Sequence, residues 1–137
     1  MIDFEEARDV FRQRIDDAGI FGDAIQWENK TLQASEKGEL WLSESYLPIT
    51  EQFATVTSDM LEGILQYNIN IPVNLASREK TATDAVKALG NLFSTAEVIE
   101  TATSKTSVGT PKRSFQGKLD NAWYTIVVDI DLKQYEN

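Results

Sequence analysis

The sequence predicts an α+β fold: a mixed or antiparallel sheet of about four to five strands with two helices packed on one face. Residues 63–73 (GILQYNINIPV) alternate apolar and polar side chains, which is typical of a strand with one buried face. Residues 76–93 (ASREKTATDAVKALGNLF) instead place apolar side chains three or four positions apart, which is typical of a helix with one buried face. Elements of this kind bury their apolar faces most simply as helices on one side of a sheet.

The first predicted helix begins close to the N-terminus. Asp3, followed three residues later by Glu6, matches a capping box in which Asp replaces Ser or Thr, and Gly19 supplies a stop signal. Between them, the apolar side chains fall on one helical stripe: Phe4, Ala7, Val10, Phe11, Ile15 and Ala18. The stripe predicts an amphipathic helix that packs against another element.

The second predicted helix lies within residues 76–93. Ser77 is placed to cap its first turn. Its apolar side chains share one face: Ala82, Ala85, Val86, Leu89, Leu92 and Phe93. Like the first helix, it is expected to cover the sheet with that face.

Two alternating segments follow the first helix, AIQWENK (24–30) and ELWLSESYL (39–47). With the polar stretch between them, they predict a β-hairpin with a long connection. Pro48 has no N–H to donate to a central strand, so the Thr-rich stretch 49–59 is predicted to be a loop or an edge segment.

The rest of the chain predicts three further strands. The long ones lie at 60–73 and 122–132, and a weaker one lies at 97–103. The stretch 104–118 (SKTSVGTPKRSFQGK) has the composition of a flexible loop. The element order is therefore α-β-β-β-α-β-β, in a single domain that covers residues 1–137.

Composition and charge exclude several classes of protein. An apolar fraction of 42% is normal for a globular domain and argues against wholesale disorder. A net charge of −9 argues against general affinity for nucleic acid, because phosphates would be repelled. There is no cysteine, the acidic N-terminus lacks the pattern of a secretory signal, and no apolar run approaches the roughly 20 residues that cross a bilayer. We therefore expect a soluble protein, made inside the cell, without membrane contact.

The predicted loop 104–118 concentrates positive charge in an otherwise acidic protein. No acidic residue occurs from Thr101 to Leu119, and four cations fall there: Lys105, Lys112, Arg113 and Lys118. Structureless loops of about 15 residues are uncommon in compact domains and are often functional. Two interpretations remain open, an arm that docks on an acidic surface such as a neighbouring copy, and a solvated hairpin tip. Contact with DNA is a lesser alternative, since four cations give a modest, salt-dependent attraction.

Trp123 is a further candidate for contact with a partner. In the strand 122–132 it lies on the face opposite Tyr124 and Ile126, together with Val127. Apolar side chains on both faces of one strand indicate that a partner or another element covers the second face.

The sequence lacks the residues that most enzymes use at neutral pH. It has no histidine for general acid–base work and no cysteine to act as a nucleophile. Asp129 and Asp131 project from one face of a strand and could bind a divalent cation, but the solvated side of a half-buried strand accounts for them more simply. We predict no catalytic residue, metal ligand or cofactor, and a small metal- or ligand-binding domain is the weaker alternative.

The order of elements resembles the tail terminator proteins of long-tailed bacteriophages, including the lambda-type minor tail protein family. Three segments carry the resemblance. The first is the strand AIQWENK after the N-terminal helix, with its aromatic-plus-Asn ending at Trp27 and Asn29. The others are the strand EGILQYNINIPVN with the following helix TATDAVKALGNLF, and the late strand NAWYTIVVDIDL. The resemblance covers nearly the whole chain.

The resemblance implies a structural subunit that forms a six-membered ring. Such a ring caps the tail tube, stops its polymerisation and provides the head–tail joining surface, without catalysis or a cofactor. Its implied partners are further copies of itself, the tail tube protein and a head-completion or neck protein, with DNA only passing through the lumen. Its implied location is the virion tail or neck, after assembly in the host cytoplasm. Other neck or head-completion (connector) proteins have similar size and organisation and remain the alternative.

Overall fold

The computed structural model describes residues 2–28, 31–33, 40–53, 59–74, 78–93, 96–113, 118–120 and 123–137. The elements of this part of the chain are α1 (Phe4–Ala18), β1 (Ile25–Gln26), β2 (Trp41–Phe53), β3 (Asp59–Pro72), α2 (Arg78–Gly90), β4 (Val98–Glu100), β5 (Ser104–Val108), β6 (Lys112–Arg113), β7 (Lys118–Asp120) and β8 (Trp123–Glu136).

One mixed sheet forms the framework of the protein. Its strand order is β1-β2-β3-β8-β5-β4, and the short strands β6 and β7 also pair with β8. The two central strands, β3 and β8, are each 14 residues long and pair antiparallel from Met60 to Pro72. The α+β class is confirmed, but the sheet has more strands than the four to five predicted. The additional strands are β5, β6 and β7, of five, two and three residues, and all three begin within the segment 104–118 that was predicted to be a loop.

Helix α1 begins and ends where the sequence predicts. The Asp3 side chain accepts a hydrogen bond from the Glu5 backbone N–H at 3.0 Å, and Gly19 ends the helix in the left-handed conformation with φ of +67°. The other half of the predicted capping box is wrong. The Glu6 carboxylate accepts from the backbone N–H and the hydroxyl of Thr103, both at 3.1 Å, so it ties the helix start to the chain before β5.

Both helices pack on the same face of the sheet. The Phe11 ring of α1 lies 5.1 Å from the Phe93 ring just beyond α2, and Phe93 lies 6.2 Å from Tyr67 of β3. The face beneath them is fully buried along the two central strands, at Leu65, Tyr67, Ile69, Ile71, Ile126, Val128 and Ile130. The apolar face predicted for the second helix is confirmed for Ala82, Ala85, Leu89 and Phe93, which are buried. The predicted cap Ser77 lies outside the described residues.

The predicted hairpin of segments 24–30 and 39–47 is wrong. Strand β1 pairs with β2 in parallel, with Ile25 opposite Leu42, and residues 29 and 30 lie outside the described part. Alternation along a strand is the same in parallel and antiparallel pairs, so the pattern could not decide the direction.

The prediction for residues 48–59 is correct in one respect and wrong in another. Of the two predicted alternatives, the loop is wrong, because strand β2 continues through Pro48 to Phe53. The edge segment is correct. The sheet tolerates Pro48 because β1 pairs with β2 only at Leu42 and Ser43, which leaves Pro48 on an edge. The register also shifts between Pro48 and Thr50. Residues 54–58 lie outside the described part of the chain.

The segment 104–118 is not the continuous loop that its composition predicts. Strands β5, β6 and β7 follow one another along β8 in antiparallel pairing. Alternate side chains of β5 are buried, at Ser104, Thr106 and Val108. Pairing with the long strand β8 therefore outweighs the polar composition of this segment, whose Thr and Val residues suit a strand. Residues 114–117 lie outside the described part.

A buried ion pair fixes α1 to β2. The Glu44 side chain is fully buried, and it accepts a hydrogen bond from Arg12 Nε at 2.8 Å and one from the Tyr67 hydroxyl at 3.3 Å. Burial, together with the charge of Glu44, raises the pKa of Tyr67 well above its ordinary value, so the hydroxyl keeps the proton that it donates. This network closes one side of the core beneath the helix.

We expect Arg12→Leu to lower the free energy of unfolding by about 3 kcal/mol, because it leaves the buried Glu44 carboxylate without its counter-charge. Urea unfolding followed by circular dichroism measures the change. The matched control is Lys80→Leu, which removes an exposed ion pair with Asp84 and is expected to cost less than about 1 kcal/mol. Equal costs for the two substitutions would contradict a stabilising role for the Arg12–Glu44 pair.

We also expect Gly63→Ala to destabilise the sheet by about 1–3 kcal/mol, because the new Cβ would lie 2.8 Å from Cε2 of Tyr46. In contrast, Gly90 at the end of α2 has no atom near the position of an added Cβ. Gly90→Ala is therefore expected to be neutral or stabilising. Thermal unfolding of both variants compares them, and a Gly63→Ala protein as stable as the parent would rule out close packing of Tyr46 over this strand.

Candidate functional site

Neither helix that the structure describes packs on the second face of the sheet, and we call this face the open face. By the strand registers it carries these residues: Ser43, Ser45, Ile64, Gln66, Asn68, Val98, Lys105, Ser107, Lys112, Thr125, Val127, Asp129, Asp131, Lys133 and Tyr135. Val98 and Tyr135 are its most exposed large apolar side chains, at 61% and 41%. The open face is therefore mainly polar, with separate apolar positions toward one end.

The charges of the open face are mostly paired with one another. Asp129 accepts a hydrogen bond from Gln66 at 3.0 Å, and Asp131 accepts one from Lys112 at 3.2 Å. Lys133 lies 3.9 Å from Glu62. Asp129 and Asp131 thus have different partners, and among the described residues no group of three or more acidic side chains is arranged to hold a metal ion.

Trp123 lies at one end of the open face. Residues of the same chain cover this end. Its ring meets Trp41 edge-on, with 5.6 Å between the centroids. Ala24 and Leu32 complete this small cluster, which is separate from the main core. An element of the same chain therefore accounts for much of the apolar character of Trp123, which is half-buried.

The cations of the predicted basic loop 104–118 are distributed along β8. Lys105 lies opposite Tyr135 and Lys112 opposite Asp129, which are six residues apart on β8 and hence separated by roughly 20 Å. Arg113 follows Lys112 directly along a strand, so the two side chains leave from opposite faces of the sheet. Lys118 begins β7, opposite Thr125.

Two of these cations, Lys112 and Arg113, form strand β6, and we call this strand the basic edge. It pairs with β8 on one side, and no strand in the described part of the chain pairs with its other side. The Lys112 ion pair with Asp131 is exposed. Arg113 is exposed as well and makes no ion pair with any residue that the structure describes. Cations on an unpaired edge also discourage uncontrolled strand pairing.

The opposite edge of the sheet carries a pocket of about 280 Å³ lined by Asp9, Arg12, Gln13, Asp16 and Trp27, and we call it the acidic pocket. The Arg12 guanidinium lies 5.3 Å from the centroid of the Trp27 ring and is already bound to Glu44. The carboxylates of Asp9 and Asp16 are exposed on the same face of α1, two turns apart. The pocket thus combines an aromatic wall with two accessible negative charges.

Sequence reasoning missed this pocket. Asp9 and Asp16 are seven residues apart and therefore share one face of α1, which is the available signal. The contribution of Trp27 depends on the parallel direction of β1 beside β2, whereas an antiparallel hairpin was predicted. The pocket is therefore a tertiary feature.

The sheet edge beside the acidic pocket is closed to further strands along much of its length. The Leu42 N–H donates to the Ala24 carbonyl at 3.0 Å, and the Tyr46 N–H donates to the Glu28 carboxylate at 2.7 Å. Two positions further along β2, the backbone nitrogen of Pro48 faces the same edge as that of Tyr46. As a proline nitrogen, it has no N–H to donate. A partner that binds at this edge must be recognised by side chains.

Comparison with known proteins identifies a family and a fold. The family model described as phage tail terminator protein matches residues 6–131. A solved protein structure, whose name describes no function, superposes on the whole chain with a TM-score of 0.72 and 20% sequence identity, and the match covers 97% of that structure. At that identity the likeness supports the fold alone. No curated protein matches the sequence.

Neither helix in the described part of the chain is long and apolar enough to cross a membrane. The matched family is a structural one and not a family of enzymes, which confirms the prediction of a non-catalytic protein. The match includes both helices almost completely and the sheet as far as Asp131 of β8. The chain belongs to the phage tail terminator protein family, and its role is a structural one in a phage tail.

Proposed function

We propose that this chain is the subunit of a six-membered ring that caps the phage tail tube. The ring stops polymerisation of the tube and provides the surface to which the head joins, in the tail or neck of the virion after assembly in the host cytoplasm. The family match over residues 6–131 is the observation that carries this proposal. It also favours a terminator over another neck or head-completion protein.

The architecture supports association with other copies. A ring with cyclic symmetry needs two different surfaces on each subunit, one for each neighbour. The sheet has two unlike edges, a basic edge at β6 and an acidic pocket beside β1 and β2. Unlike surfaces at opposite ends of one sheet suit a head-to-tail arrangement.

The open face supports contact with the tail tube protein or the head-completion protein. Tyr is enriched at protein interfaces, and exposed apolar positions among polar ones are typical of such surfaces. Val98 and Tyr135 are such positions. We retain Lys105, Lys112, Arg113, Lys118 and Trp123 as candidate contacts with the tube or with neighbouring subunits, although they do not form one patch.

The charge of the protein supports passage of DNA through the ring. A net charge of −9 per subunit would be multiplied in a ring and would repel the phosphate backbone. DNA would then pass through the lumen without being held. No catalytic step or cofactor is part of this function.

Addition of the purified chain to a polymerising preparation of the tail tube protein from the same phage tests the proposal. We expect elongation to stop at substoichiometric amounts of the chain, and electron microscopy to show a ring at one end of each tube. Unchanged tube growth, with no chain bound to tube ends, would contradict the proposal. Monomers in the absence of tubes are compatible with it, because assembly can require the tube.

A pair of substitutions tests the role of the open face in this function. Val98→Asp together with Tyr135→Asp places two charges in the proposed interface and is expected to weaken tube binding by at least about tenfold. Asn91→Asp, at an exposed position just beyond α2, is the matched control and is expected to bind normally. Normal binding by the double variant would remove the open-face end from the tube interface.

A further inference from the structure

We propose that neighbouring copies of this chain are joined edge to edge, with Arg113 on the basic edge of one copy bound in the acidic pocket of the next. The proposal rests on the proposed ring and names the two surfaces that build it. The partner is a second copy of the same chain, recognised by opposite charge and by the aromatic wall of the pocket.

The two surfaces lie at opposite edges of the sheet, as a head-to-tail contact requires. Trp27 of the acidic pocket directly follows β1, the first strand in the sheet order, and Arg12 is bound to Glu44 of β2. Strand β6 pairs with β8 on the far side. Three strand spacings separate β2 from β6, or roughly 14 Å. One subunit therefore cannot satisfy its own pocket through Arg113.

Both surfaces carry charges that form no ion pair within the part of the chain that the structure describes. Arg113 makes no ion pair with any residue that the structure describes, and the same holds for the carboxylates of Asp9 and Asp16. The cation within the pocket, Arg12, is already committed to the buried Glu44. The pocket therefore retains an excess of negative charge at its mouth, and the basic edge retains a positive charge.

The chemistry of the pocket suits a guanidinium group. A guanidinium binds carboxylates with two parallel hydrogen bonds and also stacks on aromatic rings, whereas an ammonium group acts as a compact point charge. Asp9 and Asp16 supply the carboxylates, and Trp27 supplies an aromatic ring, one contact of which is already made by the Arg12 guanidinium at 5.3 Å. A volume of about 280 Å³ accommodates one such side chain.

The protected edge of β2 explains why this contact uses side chains. Hydrogen bonds from Leu42 to Ala24 and from Tyr46 to the Glu28 carboxylate occupy the edge N–H groups, and Pro48 offers none. Addition of a strand from the neighbour is therefore disfavoured at this position. The acidic pocket offers accessible side chains for recognition on this side of the described structure.

Lys112 provides a second charge beside Arg113. The side chains of its ion pair with Asp131 are 70% and 50% exposed, and ion pairs this exposed contribute little to stability. Lys112 can therefore add to the positive field of the basic edge at little cost. The whole contact is expected to weaken at high salt, because its charges are near the surface.

A charge-swap experiment tests this interface, with subunit association measured by native mass spectrometry in solution and by ring occupancy on tail tubes. Arg113→Glu and Asp16→Arg are each expected to weaken association by about tenfold or more, since each places like charges in contact. The double variant, with both changes in one chain, restores an opposite-charge pair and is expected to recover association. The matched controls are Lys87→Glu and Glu79→Arg, exposed on α2, which change the charge equally and are expected to have no effect.

A cross-linking experiment provides a test that does not depend on the loss of assembly. The chain contains no cysteine, so Arg113→Cys with Asp16→Cys introduces the only two thiols. A short bifunctional thiol reagent is expected to link assembled copies into a ladder of up to six. Lys87→Cys with Asp16→Cys is the control and is expected to give no ladder.

The outcomes separate the interface from the ring itself. Normal association of both single variants, or no recovery in the double variant after loss in both singles, would overturn the pairing of Arg113 with the acidic pocket. Rings that form on tubes without the cross-linked ladder would also overturn it, while leaving the proposed function intact. A parent protein that neither binds tube ends nor limits tube length would instead overturn the proposed function.

Discussion

The fold depends on the burial of one face of the β3–β8 strand pair beneath both helices. Along this face the side chains of two 14-residue strands are excluded from water, and Tyr67, Phe93 and Phe11 join the sheet to both helices. Burial of this apolar surface is the largest favourable term available to a domain of this size. Because the two described helices occupy one face only, much of the other face carries exposed or half-exposed side chains in the described part of the chain.

The edges differ in how they manage their unpaired backbone groups. Along the edge of β2, backbone groups are paired with β1 and with the Glu28 carboxylate, and Pro48 has no N–H to pair. Along β6 it uses cations. The same devices that prevent indiscriminate strand pairing also give the two edges different chemistry. A structural protein of a phage tail benefits from such specificity, because an unprotected edge would pair with any other exposed strand.

The sequence was sufficient for the long elements, because α1, α2, β3 and β8 each repeat their pattern over many residues. It was insufficient where tertiary pairing decides the conformation. Residues 104–108 have the composition of a loop but form a strand because β8 offers a partner along its whole length. The direction of β1 could not be predicted, since alternation carries no information about it. The acidic pocket depends on that direction through Trp27. The prediction of a loop also concealed that Lys112 and Arg113 lie in a strand and leave it on opposite faces of the sheet.

Cryo-electron microscopy of tail tubes capped by this chain tests the central claim most directly, because it locates each copy relative to its neighbours. The account predicts a ring in which β6 of each copy lies against α1 and Trp27 of the next, with all contacts between copies equivalent. Neighbours related by a two-fold axis, with like edges in contact, would contradict it. So would a ring in which β6 and the acidic pocket both face solvent.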